Sequence, residues 1–510
     1  MLNVTKGERT LRKNQEDQGC DKLLIEDMGS EFRASNEEFI STGRASEENM
    51  IVYEGEPSQH YELLESGEDL GFEGAEVDNN DMSIEVTHVV NVEWEDGLNV
   101  NIRQEFESKQ AVADLVEKGS VSYVELDEKQ RFKYLFFALG ACIKGFQAMR
   151  KVIIVDGTSL KTVYGGVLIV ATAQDPDHHH YPIAFGVVDG EKDSSWTWFF
   201  NKLKSVVPDC PELVFCSDRN QSLIKSISEV YPLCHHGYCI YHLSQNVKLS
   251  CKNDNRDLVA TKFMEWAKAY TEPEFEKLYD AFMKRYPAAG AYLDKNVGQS
   301  KWARCFFPGT RYNIDTINVV ESINGVFLQA RGYSLLLMID AIVAKLNQWF
   351  NKYRKLSLET PRNRIMVPYV ANEVHTRCLG AKLLPVTELN SYFLEYSVAG
   401  VNGSNYVVDL ERKTCTCKHF DIDRYPCVHA IDALMETKKN PGNAIEMHDL
   451  CSKYYWMEQW SLAYCMTIYP VPHMSTWMIP EHIRDKIVFP KAYVKKRGRT
   501  QKKGSINWRT

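Results

Sequence analysis

The feature that most constrains the fold is the alternation of apolar runs and turn residues between residues 151 and 242. Three β-branched runs come first, KVIIVDGT, YGGVLIVATAQD and YPIAFGVVDG, and each is bounded by Gly, Pro or Asp. This pattern predicts three strands joined by short loops. Apolar residues then recur at three-to-four spacing in SWTWFFNKLKSVV, which predicts a helix on that sheet. A strand (ELVFCSD), a helix (QSLIKSISEVYP) and a fifth strand (HHGYCIYH) follow.

The order of three strands, helix, strand, helix and strand is that of an RNase H-like α/β domain. We expect this domain to cover residues 126–355, starting at RFKYLFFALGACIKGF. The segments FMEWAKAY and EFEKLYDAFMKRY predict a helical insertion at about residues 243–310. Two further helices, DTINVVESINGVFLQAR and LLLMIDAIVAKLNQWFNKYRK, would complete the domain.

Two aspartates stand where predicted strands end. Asp156 follows the apolar run at residues 152–155, and Asp218 follows the run at residues 213–217. Both would then face one end of the same sheet. Each also has a structural explanation, because Asp often ends a strand in a turn and Asp218 could cap the helix that follows it.

A third carboxylate, Glu321, lies in a predicted helix whose apolar residues form more than one stripe. A carboxylate on such a buried helix needs a partner, which is either an ion pair with a residue such as Arg331 or a metal ion. Two aspartates and one glutamate can hold a pair of Mg²⁺ or Mn²⁺ ions through oxygen. Other polar residues in the loops of the meander are predicted to be solvated turn residues: Asp175, Asp177, Asp189, Asp193, His178, His179 and His180.

Four soft ligands lie within residues 415–429 in the order C-x-C-x9-C-x-H: Cys415, Cys417, Cys427 and His429. Their number and type fit a closed, structural Zn²⁺ site, and the alternative is four thiol and imidazole groups without metal. Strand-like runs precede this cluster, so we expect a small zinc module at residues 395–435. A second, weaker motif is the C-x-x-H of Cys239 and His242, for which packing or an auxiliary role is favoured over zinc binding.

Composition divides the rest of the chain. Residues 51–100 contain fourteen Asp and Glu and no Lys or Arg, whereas residues 491–510 contain eight Lys and Arg and no acid. We expect a disordered acidic arm at residues 1–100, short helices and loops at 436–490, and a basic tail at 491–510. Without a signal-peptide core or a long apolar stretch, the sequence predicts a soluble intracellular protein with no membrane partner. The fourteen cysteines would then be free thiols or metal ligands.

The Asp of VDGT, the Asp of SDR, the C-x-x-H and the Glu of VESIN together resemble the Mutator-like (MULE) transposases of plants. The cysteine cluster resembles the SWIM zinc finger that commonly follows their catalytic domain. The resemblance implies a DDE-type transposase domain in the nucleus, with DNA as partner. It also implies an N-terminal DNA-binding module, of which residues 101–125 would be a remnant that contains no Cys or His between residues 106 and 131.

Three functions follow as hypotheses. The first is DNA transposition by metal-dependent strand cleavage and transfer at Asp156, Asp218 and Glu321. The second is a domesticated or defective DNA-associated transcriptional regulator that keeps the fold and the zinc but does not transpose. The third is a module that binds nuclear proteins through the zinc finger or the acidic arm. The sequence leaves enzymatic activity and homo-oligomer formation open.

Overall fold

The computed structural model describes residues 119–129, 131–162, 165–251, 256–361, 363–381, 384–400, 403–439 and 445–471. The expected acidic arm, most of the expected remnant at residues 101–125 and the basic tail lie outside these residues. None of the helices in the described ranges is both long and apolar enough to cross a membrane.

A mixed sheet of seven strands forms the centre of the described residues, in the order β1-β2-β5-β4-β3-β6-β7. Its strands are β1 (Val121–Leu126), β2 (Phe132–Ala138), β3 (Val152–Ser159), β4 (Val167–Gln174), β5 (His180–Val188), β6 (Val214–Ser217) and β7 (His235–Tyr238). Strands β3, β4 and β5 form the predicted antiparallel meander. Strand β6 lies parallel to both β3 and β7. Strands β1 and β2 extend the meander beyond β5, so the sheet begins before residue 126.

Helices cover both faces of this sheet, because neighbouring strand residues point to opposite faces. On β5, Gly186 approaches Phe199 of α2 (Asp193–Lys204) so closely that a Cβ there would lie 2.6 Å from the phenyl ring. The adjacent Phe185 instead makes an edge contact with Phe327, which follows α8 (Asn318–Val326). The apolar side chains of both strands and helices therefore form one continuous core.

The predicted helical insertion forms a second core. Its helices are α4 (Ile240–Ser250), α5 (Arg256–Ala267), α6 (Glu272–Arg285) and α7 (Pro287–Asn296), followed by a 3-10 turn at Gln299–Lys301. Trp266 and Trp302 meet edge to face with their ring centroids 4.8 Å apart, and both are buried. The insertion begins three residues earlier than expected, because β7 ends at Tyr238 and α4 includes part of the segment predicted as the fifth strand.

The remaining helices of the central domain are α1 (Gly140–Phe146), α3 (Gln221–Val230), α9 (Leu335–Glu359) and α10 (Pro368–Ala381). The last of these was not predicted. A second, antiparallel sheet follows, with β8 (Val386–Asn390), β9 (Glu395–Ala399), β10 (Asn405–Asp409) and β11 (Thr414–Cys415). The chain then forms α11 (His419–Asp423), α12 (Val428–Thr437), 3-10 turns at Met447–Leu450 and Lys453–Tyr455, and α13 (Met457–Ala463).

The loop between β4 and β5 corrects a sequence expectation. Asp175 is fully buried rather than solvated. Its carboxylate accepts hydrogen bonds from Trp460 Nε1 (2.7 Å) and Tyr464 OH (2.9 Å), near the end of the described chain. His178 is also packed rather than exposed, since its ring stacks on Tyr369 at 3.9 Å. The loop thus fixes the segment after the zinc module against the main sheet, which local sequence does not reveal.

Candidate metal centres

The register of β3 and β6 brings two predicted site residues to the same level. Val152, Ile153 and Ile154 pair in parallel with Val214, Phe215 and Cys216. Continuing that register by two residues places Asp156 opposite Asp218. Neighbouring strands lie about 4.8 Å apart, and residues at the same level of parallel strands point to the same face. The two carboxylates therefore share one end of the sheet, as the sequence predicts.

Helix α8 brings the third predicted acid to this end of the sheet. Asn324 lies one turn after Glu321 in the helix and donates a hydrogen bond from Nδ2 to Oδ2 of Asp156, at 2.9 Å. Glu321 itself remains 39% exposed, and its Oε1 lies 3.4 Å from Nε2 of His242. The helix is buried on one side only, because Val326 and the following Leu328 are exposed. Glu321 therefore faces an open edge rather than a closed core.

The ion pair that the sequence offered as an alternative for Glu321 does not form in the described residues. Arg331 instead donates to Thr158 Oγ1 and to the carbonyl oxygen of Ser159, both on β3. This contact attaches the end of α8 to the strand that carries Asp156. Arg331 thus helps to position the acidic group without neutralising Glu321.

The acids influence one another electrostatically. Burial, followed by the charge of Asp218, raises the pKa of Asp156 to about 7, with smaller contributions from Glu191 and Glu321. Burial and the charge of Asp218 also raise the pKa of Glu191. Like charges at one site favour protonation of one member, and a bound cation would relieve the same repulsion.

Glu191 is a site residue that the sequence reasoning missed. Its Oε2 accepts a hydrogen bond from Asn220 Nδ2 at 2.8 Å, two residues after Asp218. A signal existed: Glu191 follows β5, and two antiparallel pairings make β5 run in the same direction as β3. The carboxyl ends of both strands therefore meet at one edge of the sheet.

Cys239 and His242 lie at the start of α4 and not on a strand, which corrects the sequence expectation. The Cys239 sulfur is buried and accepts backbone N–H groups from His242 (3.5 Å) and Ile317 (3.4 Å). Burial raises the pKa of the Cys239 thiol to about 11. Cys239 thus caps the helix and links it to the segment before α8, while His242 reaches Glu321.

The four predicted zinc ligands form the compact group that the spacing predicts. One ligand atom from each of Cys415, Cys417, Cys427 and His429 lies within 4.8 Å of the others, and all four residues are buried. His429 Nδ1 is 3.7 Å from the Cys415 sulfur and 3.9 Å from the Cys427 sulfur. Tetrahedral zinc with bonds of about 2.0–2.3 Å requires ligand separations of about 3.5–3.8 Å. The donor set and its spacing therefore fit zinc.

Local structure explains this convergence. Cys415 ends β11, and its N–H donates to Asp421 Oδ2 at 2.9 Å. Cys427 is the residue before α12, so His429 projects from the first turn of that helix. The His429 ring stacks on Tyr406 of β10 at 3.9 Å, which fixes its orientation. A hairpin and a helix start thus present all four ligands to one point.

The ligand atoms of the zinc-type cluster lie closer together than those of the acids around Asp156. Within the ranges that the structure describes, Cys415, Cys417, Cys427 and His429 are the one set of three or more His, Cys, Asp or Glu residues whose ligand atoms all lie within 4.8 Å. The acids around Asp156 are more widely spread. Asp156, Asp218 and Glu321 would hold a pair of divalent ions rather than a single one, because each ion would take only some of the acids.

Comparison with known proteins finds one match around the two aspartates and one around the four zinc-type ligands. Residues 152–246 match the family model of the MULE transposase domain, and residues 404–436 match that of the SWIM zinc finger. These two segments are similar to a MULE transposase domain and to a SWIM zinc finger. This confirms the resemblance drawn from the sequence motifs. The MULE match includes Asp156 and Asp218 and ends before Glu321, whereas the SWIM match includes all four zinc-type ligands.

A curated relative extends the similarity. Over 342 residues the chain is 20% identical to Protein FAR1-RELATED SEQUENCE 4 of Arabidopsis thaliana. The alignment covers 61% of this chain and 46% of that relative, so the chain spans about half the length of the relative.

Proposed function

We propose that the MULE domain is an RNase H-like nuclease domain that cleaves and transfers DNA strands. The observation that supports this proposal most is the register of β3 and β6, which places Asp156 and Asp218 side by side. The hydrogen bond from Asn324 to Asp156 brings the helix of Glu321 to the same place. An antiparallel meander followed by two parallel strands supports the RNase H-like topology. The SWIM finger is a structural zinc module in this proposal, since its ligand shell is complete without substrate.

The roles of the residues follow from their positions. Asp156, Asp218 and Glu321 would hold Mg²⁺ or Mn²⁺, and Glu191 adds a fourth charge beside Asp218. Bound there, the ions supply activation of a water or a 3′-hydroxyl and stabilisation of the leaving oxygen. Asn324 orients the Asp156 carboxylate by donating to one of its oxygens. His242 orients Glu321 from the other side.

The decisive experiment is strand cleavage of duplex DNA by the purified chain in Mg²⁺ or Mn²⁺. Asp218→Asn should lower the rate at least about a hundredfold, because a metal ligand contributes several kcal/mol of transition-state stabilisation. The matched control is Asp193→Asn, which removes the same charge from an exposed residue that pairs with Lys225. Cleavage that is lost only in Asp218→Asn supports the nuclease.

A second reading is a domesticated, DNA-associated regulator that keeps the fold without cleaving. It is favoured by the exposure of Glu321 and by the His242 contact that can hold it away from the aspartates. The same assay separates the two functions, because a regulator gives equal background cleavage in all three proteins. Both functions have DNA as the partner and the nucleus as the compartment. A fluorescent fusion of the full chain would test the location in the nucleus.

A further inference from the structure

A cleft of about 440 Å³ lies at the amino ends of strands β3, β6 and β7, whereas the acidic group lies toward their carboxyl ends. Lys151, Glu212 and His235 line it, and these residues precede or begin β3, β6 and β7. Asp156, in the second half of β3, and Asp218, directly after β6, lie toward the opposite ends of these two strands. The other walls are the loop at residues 308–312, the zinc module and residues 450–454. We call this space the junction cleft, because it lies between the transposase-like domain and the zinc module.

Among the Lys, Arg, Asp and Glu residues that line the junction cleft, three are cations and one is an acid. Lys413 and Arg424 of the zinc module are both exposed, and in the described part of the chain neither forms an ion pair with a carboxylate. Arg424 donates one guanidinium N–H to Thr310 Oγ1 at 2.7 Å, which aims it across the cleft. Lys151 adds a third positive charge, and among the described lining residues Glu212 alone carries a carboxylate. Such a surface attracts an anion.

The backbone at this cleft is unusual. Tyr312, Lys413 and Arg424 have φ angles of 50°, 57° and 63°, in the left-handed region that glycine adopts without strain. Arg424 directly follows α11, where glycine commonly ends a helix. Lys413 ends the turn between β10 and β11. Because a residue with a long side chain is strained at such a position and glycine is not, we infer that these side chains have a functional role.

The uncharged lining indicates the class of anion. Tyr312 and Tyr454 stand nearly perpendicular, with ring centroids 6.5 Å apart. Thr310 and Ser452 add hydroxyl groups. Arg, Lys and hydroxyl groups are the usual contacts to phosphate oxygens, and aromatic rings stack on the bases of single strands. The volume is that of a small-molecule pocket, so it admits one nucleotide of a strand and excludes a duplex.

We propose that the junction cleft binds a phosphate of a single nucleic-acid strand, with Arg424 and Lys413 as the phosphate contacts. Tyr312 and Tyr454 lie against the adjoining sugar or base. This site is separate from the acidic group and does not depend on cleavage there. It gives the zinc module a role beyond folding, because two of the cleft's cations belong to it.

The test is the binding of fluorescent oligo-dT to the purified chain, followed by anisotropy with no divalent ion added. Arg424→Gly and Lys413→Gly remove the side chains at backbone positions that glycine adopts without strain. Each should weaken binding about tenfold, as expected for a lost charge-assisted hydrogen bond. Each should also reduce the slope of log affinity against log salt by about 0.7.

The matched control is Arg412→Gln, which removes a neighbouring exposed charge that pairs with Asp409 and does not line the cleft. It should bind within about twofold of the wild type, since an exposed charge outside the contact contributes little. Melting curves and zinc content show that each variant is folded. Equal affinities for the glycine variants and for Arg412→Gln would overturn the proposal.

Two competition experiments show whether the bound phosphate belongs to a single strand, to a free nucleotide or to a duplex. If dTMP competes as well as oligo-dT at equal phosphate concentration, the site takes free nucleotides and the strand assignment is wrong. If duplex DNA binds more tightly than oligo-dT and is equally sensitive to Arg424→Gly, the single-strand assignment is wrong. A wild-type chain that binds oligo-dT without divalent ions but cleaves no DNA in Mg²⁺ would overturn only the nuclease proposal, so the two failures can be told apart.

Discussion

The two candidate metal centres of this protein are built in opposite ways. The ligands of the zinc centre lie within residues 415–429, and all of them are buried in one small module. The acids of the other centre extend from Asp156 to Glu321, and their spacing depends on strand register and on the docking of a helix. The first is a local structure, whereas the second exists only in the folded domain.

The two centres differ in the charges that their ligands carry as well as in the distance between the ligands along the chain. The hairpin and the helix start hold the three thiols together, and a zinc ion bound there would neutralise their thiolates. Around the acids, like charges oppose assembly, and packing elsewhere must offset their repulsion. Hydrogen bonds among the thiols lower the pKa of Cys417 and raise that of Cys415, while burial and the charge of Asp218 raise the pKa of Asp156. We therefore expect the zinc centre to be the more robust of the two to distant mutations.

The largest effect should come from removing a zinc ligand. Cys427→Ser should lose about one equivalent of zinc and unfold the module, because structural zinc contributes roughly 10–16 kcal/mol in small zinc-dependent folds. Metal content by mass spectrometry and thermal melting measure both effects. The control is Cys451→Ser, a buried cysteine outside the cluster. If the control loses as much zinc as Cys427→Ser, the ligand assignment is wrong.

The next effect tests whether the zinc module depends on its neighbours. Asp423 is buried and accepts hydrogen bonds from Tyr270 of the insertion, Asn313 and Arg377. Asp423→Ala leaves the Arg377 charge without its partner, which should cost about 3–5 kcal/mol of unfolding free energy. Denaturant titration measures this loss.

Zinc content should stay unchanged in Asp423→Ala, since no ligand is altered. The control Asp409→Ala breaks a pair with exposed Arg412 and should cost less than about 1 kcal/mol. Loss of zinc from Asp423→Ala would show that the zinc centre is as dependent on tertiary contacts as the acidic one.

A smaller effect concerns pH. Without divalent ions, folded Asp156 holds its proton up to about pH 7, whereas the unfolded value is 3.8. The folded state then binds more protons in this window, so stability falls as pH rises from about 4 to about 7. Asp156→Asn should reduce this slope, and added Mn²⁺ should offset it in the wild type.

Thermal melting across this pH range measures the slope. Asp193→Asn is the control, because the contact with Lys225 lowers the pKa of Asp193 below 3.8, so this residue stays ionised and adds little slope between pH 4 and pH 7. A wild-type slope that persists in Asp156→Asn would mean that the acidic group is not the source of the pH dependence.

The smallest effect on stability should come from Glu321→Gln. Because Glu321 and His242 are both more than a third exposed, the change should be below about 1 kcal/mol. Yet the melting temperature should rise less with Mn²⁺ in this variant than in the wild type, since one metal ligand is lost. An unchanged Mn²⁺ response would remove Glu321 from the acidic centre and favour the regulator.

Much of this architecture could be predicted from the sequence because the relevant signals are local. The β3–β4–β5 meander, α2 and the cysteine cluster were all found from spacing and turn residues. The fifth strand was overextended, since CIYH is apolar enough for a strand but Cys239 caps a helix through its sulfur. The sequence predicts a solvated Asp175, because its partners Trp460 and Tyr464 are nearly three hundred residues away along the chain.

The sequence by itself determined the four zinc-type ligands and how they meet, and it predicted Asp156, Asp218 and Glu321 as a group of acids. Only the tertiary structure decided that Glu191 joins the acids, that Glu321 faces His242, and that Arg424 and Lys413 border a cleft with the transposase domain. The reason is physical: short-range spacing fixes geometry when one hairpin or helix turn carries all the ligands. Groups on separate elements meet only where strand register and side-chain packing place them.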